Sequence, residues 1–466
     1  MLKKVNNFFY NIIKYPNNYL PRIRKLLILV FVISLVLRLG FGIFSYQSNG
    51  PSGDEWDYIS YANNIIEQGI FVPDLSTFYS NSYLVGPGFP LIIALLFRIF
   101  GESYLSIIIL NAIISSLIPI IIFYISKEIF NKQIGIISSL WSIVYVLHIR
   151  YIPFVLKEVW LVFLFSLTIY LFIVAIKKDR HFLLFMFSMV FAFLIHMDER
   201  FITYFPIFIV AFLVLDIKSW KYGLKKSVFC TCVVLLLMVP WLLRNYYVYK
   251  RPVILTERTA GYTDKIFGYT NQASNDKEAW ELFYYQFEWD ESMIDPILAG
   301  EEVPNLKGKR YKFLQEGLQN GLIPHHYSKY EVWWVEFKEM CRPFRFYSEY
   351  VGTGFKFEGP WSLRHNLSVG LTYGLLLPFF LIGVYFIIRI RHKYGLFLMV
   401  IILSHIIIHI FLTIAPYFAR NRYRIPIDSF IIIIAFYGIY QIYLKFKDKD
   451  LIIRSKISER LIQHRK

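Results

Sequence analysis

Residues 86–101 read Gly86-Pro87-Gly88-Phe89-Pro90-Leu91-Ile92-Ile93-Ala94-Leu95-Leu96-Phe97-Arg98-Ile99-Phe100-Gly101, and whether this stretch crosses a membrane decides the topology of everything after it. A crossing helix needs roughly 20 consecutive apolar residues. The run from Phe89 to Phe100 is shorter, is headed by Gly86, Pro87, Gly88 and Pro90, and contains Arg98. We read it as an interfacial helix that does not span.

The stretches that do reach spanning length are residues 26–46, 104–125, 134–150, 158–176, 182–197, 201–216, 226–243, 368–388, 395–413 and 425–443, which makes about ten helices. Charge placement tests this reading, because cytoplasmic loops carry the excess of Lys and Arg. Starting from a cytoplasmic N-terminus (Lys3, Lys4, Lys14, Arg22, Arg24, Lys25), ten crossings put every dense basic cluster on one side: Lys127/Lys132, Lys177/Lys178/Arg180, Lys218/Lys221/Lys225/Lys226, Arg389/Arg391/Lys393 and the tail from Lys445. If residues 89–100 crossed, most of these clusters would invert to the outside. The expected fold class is therefore an all-α polytopic membrane protein with interfacial helices in its first outer loop.

Composition agrees. Of 466 residues, 56% are hydrophobic and 19% aromatic, with a mean hydropathy of +0.46, an excess that a soluble domain of this size does not carry. The formal charge of +17 sits in short clusters between apolar runs and forms no continuous basic face, so nucleic acid is not an expected partner. Cys230 and Cys232 lie inside an apolar run and Cys341 stands alone in a polar stretch, which implies neither a disulfide framework nor a metal site. The basic segment Met1–Lys25 precedes an apolar run with no small-residue cleavage pattern, so the first span is expected to be retained.

The domain organisation that follows is a cytoplasmic N-terminus (1–25), an N-terminal membrane module (26–243) that includes the outer loop 47–103, an extracytoplasmic domain (244–367), C-terminal membrane helices (368–443) and a basic cytoplasmic tail (444–466). The extracytoplasmic domain is expected to be small and mainly helical, with Tyr330, Trp333, Trp334 and Phe337 at helical spacing before Pro343. No internal repeat is evident, which weakens a transporter or flippase reading.

The first outer loop reads Gly53-Asp54-Glu55-Trp56-Asp57-Tyr58-Ile59-Ser60-Tyr61-Ala62. A carboxylate near the bilayer surface among aromatic residues suits a general base for a hydroxyl nucleophile; taken alone, Asp54 better suits the cap of the helix that follows. Isolated charges recur at the other outer edges: Lys157 and Glu158, Asp198-Glu199-Arg200, and Arg420, Arg422 and Arg424. Singly these are ordinary anchors at span ends. Together, carboxylates and arginines on one face suit a reaction in which a phosphate leaves while a hydroxyl attacks. Arg38, in the outer half of the first span, either faces the same way or snorkels. His325, His326 and His365 lack partners at metal spacing, His405 and His409 read as satisfied intramembrane histidines, and Asn366-Leu367-Ser368 abuts a span too closely to read as a glycosylation site.

The pattern resembles the GT-C fold glycosyltransferases, in particular the superfamily of protein O-mannosyltransferases and lipid A aminoarabinose transferases. Asp54, Glu55, Tyr58 and Ala62 match an Asp-Glu-x-x-Tyr-x-x-x-Ala motif in the first loop. Residues 86–91 and Gly101 resemble the family's Pro-rich lead into a juxtamembrane helix. Pro240-Trp241-Leu242-Leu243-Arg244-Asn245 and Arg422-Tyr423-Arg424-Ile425-Pro426 are similar to signatures at the start of the large outer loop and of the last span.

The resemblance implies transfer of a sugar, with inversion, from a polyprenyl-phosphate-linked donor to a hydroxyl on a lipid, glycan or protein acceptor. Asp54 would be the base, with Glu55 the alternative and Glu158 a second acidic residue. Arg244, with Arg422 or Arg424, would hold the donor phosphate, and Tyr58 and Arg200 would contact substrate. Neither a cofactor nor a divalent metal is implied. The expected setting is the plasma (inner) membrane, multi-pass, with both termini cytoplasmic and the site extracytoplasmic. The competing readings are a flippase of lipid-linked sugars and an O-antigen polymerase or ligase.

Overall fold

The structure is a computed structural model that describes residues 20–46, 51, 54–69, 71, 85–216, 218–249, 253–256, 334, 337, 340, 341, 367–412 and 421–463. Most of the expected extracytoplasmic domain, including His325, His326 and His365, lies outside the described residues. Among the described residues, every regular element is helical: α1 (Leu20–Phe44), α2 (Asp54–Gln68), α3 (Gly88–Phe100), α4 (Tyr104–Ile129), α5 (Lys132–Ile143), α6 (Val146–Arg150), α7 (Glu158–Lys178), α8 (His181–Met197), a tight turn of helix at Glu199–Tyr204, α9 (Phe205–Leu215), α10 (Trp220–Tyr249), a wide turn at Gly370–Gly374, α11 (Leu376–Arg389), α12 (Lys393–Leu412) and α13 (Asn421–Gln463).

Seven of the ten segments read as spans form single helical stretches long and apolar enough to cross a membrane: Ile23–Phe44, Tyr104–Ile129, Glu158–Lys178, Trp220–Tyr247, Leu367–Arg389, Lys393–Ile410 and Arg422–Lys447. The other three are shorter. In place of a continuous helix over 134–150 there are α5 and α6 with a break at Val144–Tyr145; α8 has 17 residues; and the segment at 201–216 begins as the tight turn before α9. The α3 helix has 13 residues, a length of about 20 Å against a hydrocarbon layer of about 30 Å. That length agrees with reading it as non-spanning.

The break between α5 and α6 has a physical cause. It leaves backbone carbonyls without helical donors, and Arg38 supplies them: Nη2 donates to Ser142 O and Nη1 to Ile143 O, both at 3.1 Å. The same guanidinium bonds Ser34 Oγ (2.5 Å) and Ser115 Oγ (2.8 Å), and Ser115 in turn donates to His148 O (2.8 Å). A cation at the C-terminal end of a helix also meets its negative dipole end. Arg38 is fully buried and so does not snorkel; it caps a broken helix.

The helix α13 lies at the centre, with 78% of its apolar stretch buried, whereas α1 at 28% lies at the rim. Its contact with α11 is a close crossing of two glycines. A Cβ on Gly438 would stand 2.2 Å from Phe379 O, and one on Gly383 would stand 2.1 Å from Ile434 O. Small residues at such crossings let backbones approach and gain dispersion contact. At the other end of the molecule, Gly86 and Gly88 bring the start of α3 against His196 and Met197, a Cβ on Gly86 lying 2.5 Å from His196 O. The Pro-rich run thus seats α3 on the end of α8, next to Asp198.

Gly438→Ala must push α11 away from α13, an overpacking effect of about 1–3 kcal/mol. We expect a lowered melting temperature for the purified protein. Gly40→Ala, where nothing lies within 4 Å of the added methyl, should leave it unchanged.

Candidate active site

The site forms where α2, the start of α7 and the start of α13 meet. Asp54 opens α2 and Glu158 opens α7. Arg422 joins them: its Nη1 donates to Asp54 Oδ2 at 2.7 Å and its Nε donates to Glu158 Oε1. The two carboxylates differ in access. The Asp54 side chain is 53% exposed and that of Glu158 is 5% exposed. One guanidinium therefore bridges an open carboxylate and a buried one.

Glu55 points elsewhere. Its Oε1 accepts the backbone N–H of Val155 at 2.6 Å, and the residue is buried. This holds the 151–157 loop against α2. Asn111 holds the same loop from α4, donating to Ile152 O and Phe154 O while accepting from Trp160 Nε1 (3.1 Å). Glu158 thus starts its helix from a loop fixed on two sides.

Beside this bridge lies a second ionic group. Asp198, almost fully buried, receives Lys157 Nζ at 3.0 Å and a bidentate pair from Arg200 at 2.8 and 2.5 Å. Burial alone would raise the Asp198 carboxyl, but Arg200 and Lys157 outweigh it and hold it well below the usual range. Burial would likewise lower Lys157 and Arg200; Asp198 reverses both and raises them. Arg200 also covers the Tyr423 ring at 4.6 Å. Tyr58 sits beneath the bridge, edge-on to Phe89 at 5.1 Å. Burial pushes its hydroxyl up to about 12, with Lys157 opposing and Glu158 adding to the shift.

The first residues of α13 face three ways. Arg422 turns to the carboxylates. Tyr423 is held by Arg200, and its carbonyl accepts from His405 Nε2 at 2.6 Å; His405 Nδ1 pairs with Tyr204 Oη at 2.5 Å. His405 is thus a satisfied intramembrane histidine, as read from the sequence. Arg424 turns inward. It is 1% exposed, donates to Asp428 Oδ1 (2.8 Å) and Met340 O (2.7 Å), and lies 3.5 Å over the Tyr373 ring. Asp428 also accepts from Tyr145 Oη at 2.8 Å.

Arg244 approaches α2 further along. It donates to Phe71 O and, at 2.9 Å, to Asn245 Oδ1, and lies 5.0 Å over Trp241. Phe71 stacks on Tyr61 at 4.5 Å. Tyr61 is seven residues after Asp54, about 10 Å along the helix. The structure therefore brings Asp54, Glu158 and Arg422 together, attaches Arg244 two turns away, and ties Glu55, Arg200 and Arg424 to other partners. Asn111, Tyr145 and Asp428 were not singled out from the sequence. Only Asp428 gave a signal, its i,i+4 spacing from Arg424. Among the described residues, no three His, Cys, Asp or Glu side chains are placed to hold a metal ion.

The chain resembles known GT-C proteins in both sequence and fold. The sequence profile of the dolichyl-phosphate-mannose-protein mannosyltransferase family matches residues 85–243, about a third of the chain. No curated protein matches it in sequence. Among solved structures, the oligosaccharyltransferase of Archaeoglobus fulgidus in its apo form aligns with 93% of this chain and 52% of its own, at 13% identity and a TM-score of 0.53. The same archaeal enzyme, AglB, in complex with an inhibitory peptide and a dolichol-phosphate, aligns at 13% identity and a TM-score of 0.54, with the same coverage of 93% and 52%. This shows a shared fold, and the chain spans about half the length of that enzyme. ArnT from Cupriavidus metallidurans in the apo state aligns with 87% of this chain and 76% of its own, at 11% identity and a TM-score of 0.40.

Asp198→Asn would leave buried Lys157 and partly buried Arg200 as neighbouring cations without their shared anion. Breaking such a buried pair costs about 3–5 kcal/mol. Thermal unfolding in detergent at neutral pH should show a correspondingly large drop in melting temperature, and an unchanged value would refute the charge balance described here.

Proposed function

We propose that this chain is a membrane glycosyltransferase that moves a sugar, with inversion, from a polyprenyl-phosphate carrier to a hydroxyl acceptor on the extracytoplasmic face. The observation that carries the proposal is the Arg422 bridge, which brings a half-exposed carboxylate and a fixed cation to one point at the start of α13. The archaeal enzyme that shares this fold was solved with a dolichol-phosphate, and a polyprenyl phosphate is the ligand we assign here.

In this reading Asp54 is the general base. It takes the proton of the acceptor hydroxyl as that oxygen bonds to the anomeric carbon. The bond from the anomeric carbon to the phosphate oxygen breaks on the opposite face, and the phosphate departs with the electron pair. Arg422 serves both ends of the exchange. Its Nε stays on Glu158, while Nη1 moves from Asp54 to the phosphate, which frees Asp54 to accept the proton and stabilises the departing charge. Arg244, beside α2, is the second phosphate ligand.

Glu55 is committed to the Val155 N–H, which favours Asp54 over Glu55 as base. Arg424, bound to Asp428 and Met340, is assigned to holding α13 in place, and Arg422 to the phosphate. Tyr58 is buried and Arg200 partly so, and they act by positioning α2 and Tyr423. The placement of Lys and Arg clusters supports cytoplasmic termini and a plasma-membrane setting.

Reporter fusions test the topology: one after Gly101 should report outside and one after Phe130 inside. An outside signal at Phe130 would overturn the map. Mass spectrometry of surface glycans and glycolipids from a deletion strain should show one missing sugar, which names donor and acceptor. With that donor, Asp54→Asn should fold as wild type yet lose turnover by about 10²–10⁴-fold, the range for removing a general base. Retained turnover, or movement of the lipid-linked sugar across vesicles without covalent change, would sink the reading.

A further inference from the structure

His148, in α6, plays no part in the reaction described above, yet it lies directly behind Glu158. It is 1% exposed. Its Nδ1 pairs with the Ser142 hydroxyl at 3.3 Å, whereas its Nε2 is buried with no hydrogen-bond partner among the described residues. Glu158 repeats the pattern: Oε1 accepts from Arg422, while Oε2 is buried with no partner among the described residues. Both residues line one small internal cavity, whose other walls are Ile118, Leu147, Tyr151, Val159, Val162 and Ile425.

Two buried polar atoms without partners are each unfavourable, and native interiors rarely keep them so. Here one can donate and the other accept, and apart from Tyr151 the remaining lining is aliphatic. We propose that His148 is a positioning residue for Glu158. The Ser142 hydroxyl donates to Nδ1, which leaves the ring proton on Nε2, and Nε2–H donates across the cavity to Glu158 Oε2.

This assignment completes a hydrogen-bonded chain of Ser142, His148, Glu158, Arg422 and Asp54, running from the broken α5/α6 helix to the outer surface. Arg38 anchors its inner end through the Ser142 and Ile143 carbonyls, and through Ser115 on His148 O. Held at Oε2, the Glu158 carboxylate keeps a single orientation, with Oε1 toward Arg422 Nε. Arg422 then pivots about Nε as Nη1 exchanges between Asp54 and phosphate. The pairing is inferred from two partnerless buried atoms on one cavity wall, and its consequence for Arg422 rests on the transferase reading.

A double-mutant cycle on thermal unfolding of the full chain in detergent tests the contact, using His148→Phe, Glu158→Leu and the pair. The double variant should lose no more melting temperature than the worse single variant; additive losses would overturn the proposal. Binding of undecaprenyl phosphate tests the consequence. His148→Phe should bind roughly tenfold more weakly, the scale of one hydrogen bond to a charged group. His148→Gln, which restores an N–H at similar reach, should bind within about twofold of wild type.

Equal binding by His148→Phe and wild type, or no rescue by Gln, would refute the positioning role. If wild type itself does not bind undecaprenyl phosphate, the transferase reading fails while the cycle still decides the contact. Should His148→Phe not fold, nitrogen NMR of histidine-labelled protein, with His148→Gln to assign the signal, must show the Nε2–H tautomer. An Nδ1–H tautomer would overturn the inference.

Discussion

A single guanidinium, that of Arg422, holds together parts of the chain that nothing else would align. Asp54 belongs to a short helix after α1, Glu158 to the start of α7, and Arg422 to the start of α13. Bringing two carboxylates together without a cation between them is unfavourable, and more so as burial lowers the dielectric. The arginine makes the approach favourable, and its fork gives each carboxylate a separate donor. Next to this group, which carries one net negative charge, stands the Lys157–Asp198–Arg200 group, which carries one net positive charge. The six charges balance as neighbours, a condition that lets so many ionised side chains share a partly buried region.

The head of α13 shows how one short motif serves several purposes. Successive helical residues point about 100° apart, so Arg422, Tyr423 and Arg424 reach three different surroundings. Arg424 and Tyr423 are each fixed by several partners, which leaves Arg422 with a defined origin and a free direction. Pro426 contributes as well. Lying within α13, it supplies no N–H to the carbonyl four residues back, that of Arg422 itself. The backbone at Arg422 is thus released from one helical bond at the residue whose side chain must reach outward.

Much of this was legible in the sequence, for identifiable reasons. Span length and apolar runs are local properties, so seven of the segments read as spans recur as single long helices, and α3 recurs as a short one. The break inside 134–150 was not legible. It depends on Arg38, more than a hundred residues earlier in the chain, supplying donors to the freed carbonyls. Asp54 and the outer-edge arginines announced themselves through charge beside apolar runs, but sequence treated Arg422 and Arg424 as equivalent. Their difference arises from Asp428, Tyr373 and Met340, which surround one and not the other. In the sequence, Asp54 is preferred to Glu55 on resemblance alone, and the Val155 N–H that engages Glu55 adds a physical reason.

That last distinction explains why the candidate base sits on α2 and not on a span. A carboxylate buried within the bundle must be paired permanently, as Asp198 and Asp428 are, because an unpaired ion there is strongly unfavourable. Permanent pairing is incompatible with taking up a proton in each turnover. A carboxylate wholly in water escapes that penalty but has nothing to orient it. Asp54 stands between these limits: its helix is anchored by Glu55, Tyr58 and Tyr61, while its own carboxylate remains half exposed. Its ion-pair partner Arg422 is a cation that has another carboxylate to hold it when Asp54 lets go. In the proposed reaction, a reversible ion pair at a fixed position would account for the short amphipathic helix, for the second acid at Glu158, and for an arginine between them.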